Sequence, residues 1–232
     1  MLGRIRLFLF MKVPLLQLIN RCQGKRCIVA ALGPSLRSQL DFIREIHVPS
    51  FTLISCNEMD TMANLVPDYW VHANSEDTIR ALFPRMNALK ETHVVYADSV
   101  DPTPAHDVER LLEVNYTPYD QRYFAQGKTI QQVLQAYTGH TVHYGAGHTV
   151  ALHMLSLAIL LGHKEIYLTG MDLDYTKGYV HPDRQCVHSF DHDKPEIIDD
   201  CKVIQDSAAR VGAEIFALPG QPLHDFMRER LP

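Results

Sequence analysis

The chain contains a long apolar segment that leads, after a glycine, into a short run of strand-forming residues. Residues 150–161 are apolar at helical spacing, contain no proline and end at Gly162, the residue type that most often follows a helix C-terminus. Residues 165–169 are rich in strand-forming side chains and are followed by Gly170. A buried helix that leads into a buried strand is the building unit of a parallel sheet. This segment therefore predicts an α/β protein with the helix and the strand in its core.

Alternating strand and helix signals extend over the rest of the chain. Their order predicts a doubly wound, mostly parallel sheet of the Rossmann-like type. The length of 232 residues, 46% of them hydrophobic, suffices for one well-buried core but is short for two full domains. Further strands are predicted at residues 25–32, 50–55, 68–72, 93–97 and 214–218, and further helices at residues 36–45, 196–211 and 223–229.

The chain is predicted to consist of an N-terminal helical segment, residues 1–22, and one α/β domain, residues 23–232. Within the domain, residues 105–144 have weaker periodicity and carry several tyrosines. This pattern is compatible with a small lid or acceptor-binding insertion, and equally with a plain helical connection.

The N-terminal segment is apolar, but Arg4, Arg6, Lys12 and Pro14 interrupt it. The interruptions come well before the ~20 apolar residues that a membrane span needs. The segment also lacks the unbroken apolar centre and the small-residue cleavage site of a signal peptide. We expect a helix that packs on the domain; the alternative is a basic amphipathic segment, residues 1–20, that contacts an anionic membrane peripherally.

Charge and cysteine usage narrow the partners and the compartment. The formal net charge is −5, and the sequence contains no block of basic residues that could bind a phosphate backbone. Both observations argue against nucleic acid as a partner. The five cysteines are odd in number and widely spaced, unlike a disulfide framework or a paired CxxC metal site. We therefore expect a reducing cytoplasm, with the inner face of the membrane as the place of any peripheral contact. The cysteines are Cys22, Cys27, Cys56, Cys186 and Cys201.

A glycine turn between the first strand and the first helix predicts an anion-binding position. Gly33-Pro34-Ser35 breaks the strand, and its serine is a favoured helix N-cap. Unpaired backbone N–H groups and the helix dipole both attract an anion at such a place. The turn matches neither the GxGxxG nor the GxxxxGK[ST] pattern. After the later strand 165–169, Asp172 and Asp174 stand where open α/β sheets bind their ligands.

Two asparagines follow neighbouring strands of the predicted sheet. Asn57 comes after the strand 50–55, and Asn74 after the strand 68–72. Either residue alone is more simply explained as a turn residue. Two amides at the same edge, beside the Gly33 turn, favour contact with a base or ribose.

The loop 181–193 concentrates three histidines, one cysteine and three aspartates. A metal site is one interpretation, but the spacing matches no closed zinc pattern, and we predict no metal. A second interpretation is that His188 is a general base, since an imidazole accepts a proton near neutral pH. A third is a surface loop whose histidines have no function.

Several of these motifs, taken together, resemble two related families. One is the bacterial lipooligosaccharide sialyltransferases, and the other surrounds the archaeal 6-hydroxymethylpterin diphosphokinase and includes proteins tied to flagellin glycosylation. The likeness follows the chain in order over most of residues 25–230. It rests on Gly33-Pro34-Ser35-Leu36, Asn57, Asn74, the run 158–175, His188-Ser189, and residues 213–219 with Leu223 and Phe226.

The sialyltransferase resemblance implies a metal-independent, inverting transfer from a CMP-sugar to a glycan or glycoprotein acceptor of the bacterial surface, with no cofactor required. It implies that His188 activates the acceptor hydroxyl and that Tyr179 and Tyr175 donate hydrogen bonds to the leaving phosphate. The residues implied to bind the nucleotide are Gly33, Pro34, Ser35, Asn57 and Asn74, and we predict Thr149 and Asp172 as further nucleotide-binding residues.

The chain departs from those enzymes at two positions. Leu32 stands where they have an asparagine, and Gly147-His148-Thr149-Val150 stands where they have an arginine followed by Thr-Ser-Gly. A sialic acid carboxylate would need such a cation or hydroxyl pair. Nucleotide-dependent transfer is therefore better supported than the identity of the sugar.

Two alternatives to the sialyltransferase-like hypothesis stay open. The diphosphokinase resemblance implies ATP and Mg²⁺, for which Asp98, Asp172 and Asp174 are candidate ligands. A nucleotide-binding module without catalysis would also account for Leu32 and for the missing arginine.

Overall fold

One parallel sheet forms the centre of the protein. A computed structural model describes residues 12–62, 64–73, 82, 84–98, 112–120, 129–142, 149–173, 178, 180, 194–223 and 226–232. All strand pairs are parallel, in the order β5-β4-β3-β2-β1-β6-β7, which confirms the predicted α/β Rossmann-like class. The strands are β1 Arg26–Ala30, β2 Phe51–Cys56, β3 Tyr69–His72, β4 His93–Asp98, β5 Tyr116–Asp120, β6 Glu165–Thr169 and β7 Glu214–Ala217.

Helices cover the sheet, and one of them is entirely enclosed. The predicted apolar helix is α4, and its residues 151–160 are all buried. It packs against β1, β2 and β3 on one side and against α3 and α5 on the other, as a helix that is apolar all round requires. The helices are α1 Leu40–Ser50, α2 Met59–Met62, α3 Ile130–Thr138, α4 Val150–Leu160 and α5 Lys194–Arg210, with 3-10 helices at Leu15–Leu18 and Pro34–Gln39.

The strand order reverses direction at β1. From β1 the chain adds β2 to β5 on one side, and it later adds β6 and β7 on the other. The carboxyl ends of β1 and β6 therefore flank the topological switch point, where open α/β sheets bind ligands. Because α4 leads into the start of β6, the N-terminus of α4 lies at this same edge.

The region 105–144 contains a strand that the sequence did not predict. β5 spans Tyr116–Asp120 and includes Pro118, a residue that argues against a strand because it lacks an N–H donor. The proline is tolerated because β5 is the last strand on its side of the sheet. Farther along, α3 begins with a capping box formed by Thr129 and Gln132. A lid role for the region stays a prediction.

The predicted C-terminal helix at residues 223–229 is wrong. Phe226 and Met227 form a turn on Leu223, and Glu229 then pairs in parallel with Ala217. The backbone of Ala217 donates to the Arg228 carbonyl and accepts from the Arg230 N–H, both at 3.0 Å. The tail pairs with the edge of β7 instead of forming a helix, because this pairing satisfies backbone N–H and C=O groups of the edge strand.

At the opposite edge, the N-terminal segment covers β5. The Val13 N–H donates to the Tyr116 carbonyl at 2.8 Å, and the Thr117 hydroxyl donates to the Val13 carbonyl. Of the predicted helical segment 1–22, residues 1–11 lie outside the described residues, and Leu15–Leu18 is a 3-10 helix. Among the helices described, none combines the length and the apolarity needed to cross a bilayer.

Four of the described histidines, His72, His93, His153 and His163, are buried, and burial lowers the pKa of each imidazole. Burial lowers the pKa of His72 to about 3, with the charge of Arg85 as a smaller cause. Burial likewise lowers the pKa of His93 and of His153 to about 4. Within the described part of the chain, neither ring nitrogen of His72 has a hydrogen-bond partner. The ring of His72 instead packs on Trp70, with centroids 5.0 Å apart.

We predict that acid destabilises this fold through its buried histidines. In the unfolded chain a histidine gains its proton near pH 6.5, whereas in the folded protein His72 gains it only near pH 3. The contribution is therefore complete above pH 6.5 and is lost as the pH falls toward 3. Between pH 7 and pH 5 it amounts to about 2 kcal/mol for this residue.

Urea unfolding of the wild type and of His72→Phe at the two pH values measures this contribution. In the variant, the free energy of unfolding should fall by about 2 kcal/mol less between pH 7 and pH 5. An unchanged difference between the two pH values would show that His72 is not the group that titrates.

Candidate functional site

The carboxyl ends of β1 and β6 stay hydrogen-bonded beyond the strands themselves. The Ala31 N–H donates to the Thr169 carbonyl at 2.9 Å, and the Gly33 N–H donates to the Gly170 carbonyl at 2.7 Å. A Cβ at Gly33 would lie 2.0 Å from Asp172 Oδ2, and one at Gly170 would lie 2.1 Å from the Ala31 carbonyl oxygen. Glycine is thus needed at both positions, because the segment after β1 and the segment after β6 pass too close to each other to leave room for a Cβ. We call residues 33–35 and 170–172 the switch-point crevice.

The anion position of the Gly33 turn holds a carboxylate of the protein itself. Asp172 accepts from the Ser35 backbone N–H at 3.1 Å and lies 2.9 Å from the Ser35 hydroxyl. The Asp172 side chain is only 7% exposed. Pro34 opens the 3-10 helix, at a position that needs no N–H. The structure thus brings together the predicted residues Gly33, Ser35 and Asp172, with Asp172 where a free anion was expected.

Gln221 joins this crevice from the C-terminal part of the chain. Its side-chain oxygen accepts from the Gly170 N–H at 2.9 Å and lies 2.6 Å from the Ser35 hydroxyl. Its amide nitrogen donates to Thr169 Oγ1 at 3.1 Å. Sequence reasoning missed this residue, because Pro219-Gly-Gln-Pro222 carries only a turn signal.

Asn57 lies directly after β2 in a left-handed conformation, with φ of 50°. Its carbonyl accepts from the indole Nε1 of Trp70 at 2.7 Å. Trp70 is fully buried, and the guanidinium of Arg85 lies 5.9 Å from the centre of its ring. Arg85 also pairs with Asp60 in α2, the helix that follows Asn57, so the backbone that carries Asn57 is held from two sides. Asn74, the second predicted asparagine, lies outside the described residues.

Thr149 is the N-cap of α4 at the carboxyl edge of the sheet. Its hydroxyl oxygen accepts from the Ala151 N–H at 3.3 Å, which satisfies one of the unpaired donors of the helix. The backbone N–H groups of the first turn of α4 point toward the same edge as the crevice.

The predicted catalytic residues His188, Tyr179 and Tyr175 lie outside the described residues. Val180, which follows Tyr179 directly in the chain, is described and lies beside the crevice. Its N–H donates to the Leu32 carbonyl at 2.7 Å, and its carbonyl accepts from Arg37 Nε. The main chain after Tyr179 is thus bound to the end of β1.

The described residues contain no cluster of side chains that could hold a metal ion. Among them, no group of three His, Cys, Asp or Glu side chains is arranged to hold an ion. The candidate ligand Asp174 and the loop 181–193 lie outside the described part of the chain.

A comparison with protein families decides the family of the chain. A profile of the family described as 6-hydroxymethylpterin diphosphokinase MptE-like matches residues 7–178. The chain belongs to this family. The MptE-like match covers Gly33, Ser35, Asn57 and Asp172 and ends before Gln221. In a comparison with curated proteins, no sequence matches.

Two solved sialyltransferase structures share the fold of this MptE-like chain. The sialyltransferase CstII from Campylobacter jejuni, in complex with a substrate analogue, CMP-3FNeuAc, aligns at 18% identity with a TM-score of 0.54, over 88% of this chain and 85% of that chain. An alpha-2,3-sialyltransferase from Campylobacter jejuni in apo form aligns at 17% identity with a TM-score of 0.55, over 92% and 83%. The family match and the shared fold confirm both resemblances predicted from the motifs.

We predict that Gly33→Ala destabilises the protein through its contact with Asp172 and Gly170. The φ of Gly33 is −68°, which any residue adopts, so alanine would cause no backbone strain there. Any loss of stability would come from the close contact of its Cβ with Asp172 and Gly170. We expect a loss of about 3 kcal/mol or more in the free energy of unfolding, because backbone and a buried carboxylate would both have to move.

The matched control is Gly139→Ala, measured by the same urea unfolding. Gly139 has φ of 67° and open space around its Cβ position, so only left-handed strain of about 1–2 kcal/mol is expected. A smaller loss for Gly33→Ala than for Gly139→Ala would contradict the close approach at the crevice.

Proposed function

We propose that this protein is a sialyltransferase-like glycosyltransferase that moves a sugar from a CMP-sugar to a surface glycan or glycoprotein acceptor. The observation that carries the proposal is the switch-point crevice, which joins Gly33, Ser35 and Asp172 at the ligand-binding edge of the sheet. The shared fold with an enzyme that holds CMP-3FNeuAc supports a CMP-sugar as the donor.

The charges of the crevice suggest how the nucleotide is oriented. A carboxylate at Asp172 accepts hydrogen bonds from ribose hydroxyls and repels phosphate. We therefore place the ribose near Asp172, with the Asn57 amide available to the base. The phosphate then lies toward Thr149, where the first turn of α4 supplies backbone donors and the positive end of its dipole.

The proposed reaction is a single inverting displacement. His188 takes the proton of the acceptor hydroxyl, whose oxygen forms a bond to the anomeric carbon while the bond from that carbon to the CMP phosphate breaks. CMP leaves with the bonding electron pair, and hydrogen bonds from Tyr179 and Tyr175 stabilise the charge that grows on its phosphate. The binding of Val180 to Leu32 supports a place for Tyr179 near the crevice, because the two residues are adjacent in the chain.

A second candidate function is ATP-dependent diphosphate transfer to a small heterocycle, which the family match favours. Mg²⁺ would then neutralise the phosphates, with Asp98, Asp172 and Asp174 as candidate ligands. Of these, Asp172 has its carboxylate on Ser35 at the crevice. A module that binds a nucleotide without catalysis is the third candidate.

We predict turnover of a CMP-sugar that persists in EDTA and depends on His188. Removal of a general base should lower the rate of transfer by about 10²–10⁴-fold in His188→Ala, with CMP binding retained. The matched control is His140→Ala, since His140 bonds to Ser207 on α5 rather than to the crevice. Release of CMP by each variant, with and without EDTA, measures the effect.

Each alternative has its own outcome in the same assay. Turnover of ATP that EDTA abolishes, without turnover of CMP-sugars, would establish the diphosphokinase alternative. Equal transfer rates in His188→Ala and in the wild type would remove His188 from the mechanism. CMP binding without turnover of any donor would favour the non-catalytic module.

A further inference from the structure

The Gln221 side chain reaches from the turn after β7 into the switch-point crevice. It is 2% exposed, and its amide is held at both ends. The Gly170 N–H can only donate, so the amide oxygen of Gln221 must be the atom that faces it. The amide nitrogen then faces Thr169 Oγ1, and the orientation of the side chain is determined.

The Ser35 hydroxyl has one proton and two acceptors within reach. Gln221 Oε1 lies 2.6 Å and Asp172 Oδ2 lies 2.9 Å from Ser35 Oγ. A hydroxyl donates to one of them at a time, so Gln221 and Asp172 compete for the proton. Gln221 thereby determines how often the Ser35 hydroxyl donates to the Asp172 carboxylate. It thus also determines how strongly Asp172 can accept a hydrogen bond from another donor.

The turn that carries Gln221 is held in place by contacts outside the crevice. The amide of Gln39 donates to the Pro219 carbonyl at 2.9 Å. The Gly220 N–H donates to the Glu229 carboxylate at 3.1 Å. The turn is therefore held by two contacts that do not involve Gln221, in addition to the hydrogen bonds that Gln221 makes in the crevice.

We propose that Gln221 is a positioning residue of the nucleotide site, which sets Ser35, Gly170 and Asp172 for binding. The C-terminal turn then completes a site whose other members lie within the family match, residues 7–178. The inference rests on the proposed nucleotide binding at the crevice, and it adds a residue that does not itself touch the nucleotide.

The test compares the same substitution at two glutamines, one in the crevice and one remote from it. Gln221→Met and Gln135→Met each replace a glutamine by an apolar side chain of similar length, but Gln135 lies exposed on α3 and contacts neither the crevice nor the C-terminal turn. Titration calorimetry with CMP should give a dissociation constant about tenfold higher for Gln221→Met, a loss equivalent to about one net hydrogen bond. Gln135→Met should stay within about twofold of the wild type, because a substitution at an exposed position remote from the site changes neither the crevice nor the stability by much.

A double-mutant cycle with Ser35→Ala separates positioning from general stability. If Gln221 acts through Ser35, the loss of CMP affinity in the double variant should not exceed the larger single loss. Losses that add, or equal losses for Gln221→Met and Gln135→Met, would overturn the inference.

Gln221→Glu keeps an oxygen for the Gly170 N–H and serves if the methionine variant does not fold. Its introduced carboxyl would lie beside Asp172, so its ionisation should weaken CMP binding progressively, relative to the wild type, as the pH rises. A ratio of dissociation constants that does not change with pH would overturn the inference.

Wild-type protein that binds neither CMP nor ATP would overturn both the proposed function and this inference. Wild-type protein that binds CMP, with equal affinity in Gln221→Met, would overturn the inference alone.

Discussion

Two segments of the chain pass close to each other at the carboxyl ends of β1 and β6, and the site depends on this close passage. The hydrogen bond from Gly33 to Gly170 exists only because neither residue carries a Cβ. A Cβ on either residue would lie within 2.4 Å of the backbone of the opposite segment. This contact places Asp172 under the Ser35 N–H, and it leaves the Gly170 N–H for Gln221. A loss of the close passage would therefore disturb the anion position, the carboxylate and the C-terminal turn together.

The core was the predictable part of the fold. The segment 150–161 is apolar all round, and burial on every side is the only way to remove such a helix from water, so α4 and the parallel sheet beside it followed from the sequence. Elements at the edges did not, because their local signals compete with pairing to a neighbour. Pro118 concealed β5, and the open edge of β7 converted a predicted helix into a paired tail.

The candidate site was predictable in its positions but not in its contacts. Asn57, Gly33 and Asp172 all follow strands whose ends share one edge, and that rule located them. It did not reveal that the carboxylate of Asp172 fills the anion position of the Gly33 turn, because that contact joins residues 137 apart in the chain. Gln221 was missed for the same reason, since it meets Ser35 from 186 residues away and has only turn residues around it.

The two candidate functions involve different chemistries, and we propose that either would use the crevice. The family profile carries the name of a diphosphokinase, whereas the solved structures of similar fold are sialyltransferases. The Asp172 carboxylate accepts from the Ser35 backbone N–H and lies within reach of the Ser35 hydroxyl, so it is suited to neutral donors such as ribose hydroxyls. A phosphate placed there would meet like charge. In the proposed function, the ribose therefore lies at Asp172 and the phosphate lies toward Thr149, farther along the same edge of the sheet.

The central claim is that a nucleotide binds in the switch-point crevice, and amide hydrogen exchange with and without CMP tests it most directly. The account predicts slower exchange on CMP addition in residues 31–39 and 170–173, with a smaller effect in residues 219–223 of the C-terminal turn, because binding stabilises the segments that it orders. Protection confined to β3, β4 and β5, with unchanged exchange at Gly33 and Gly170, would contradict it.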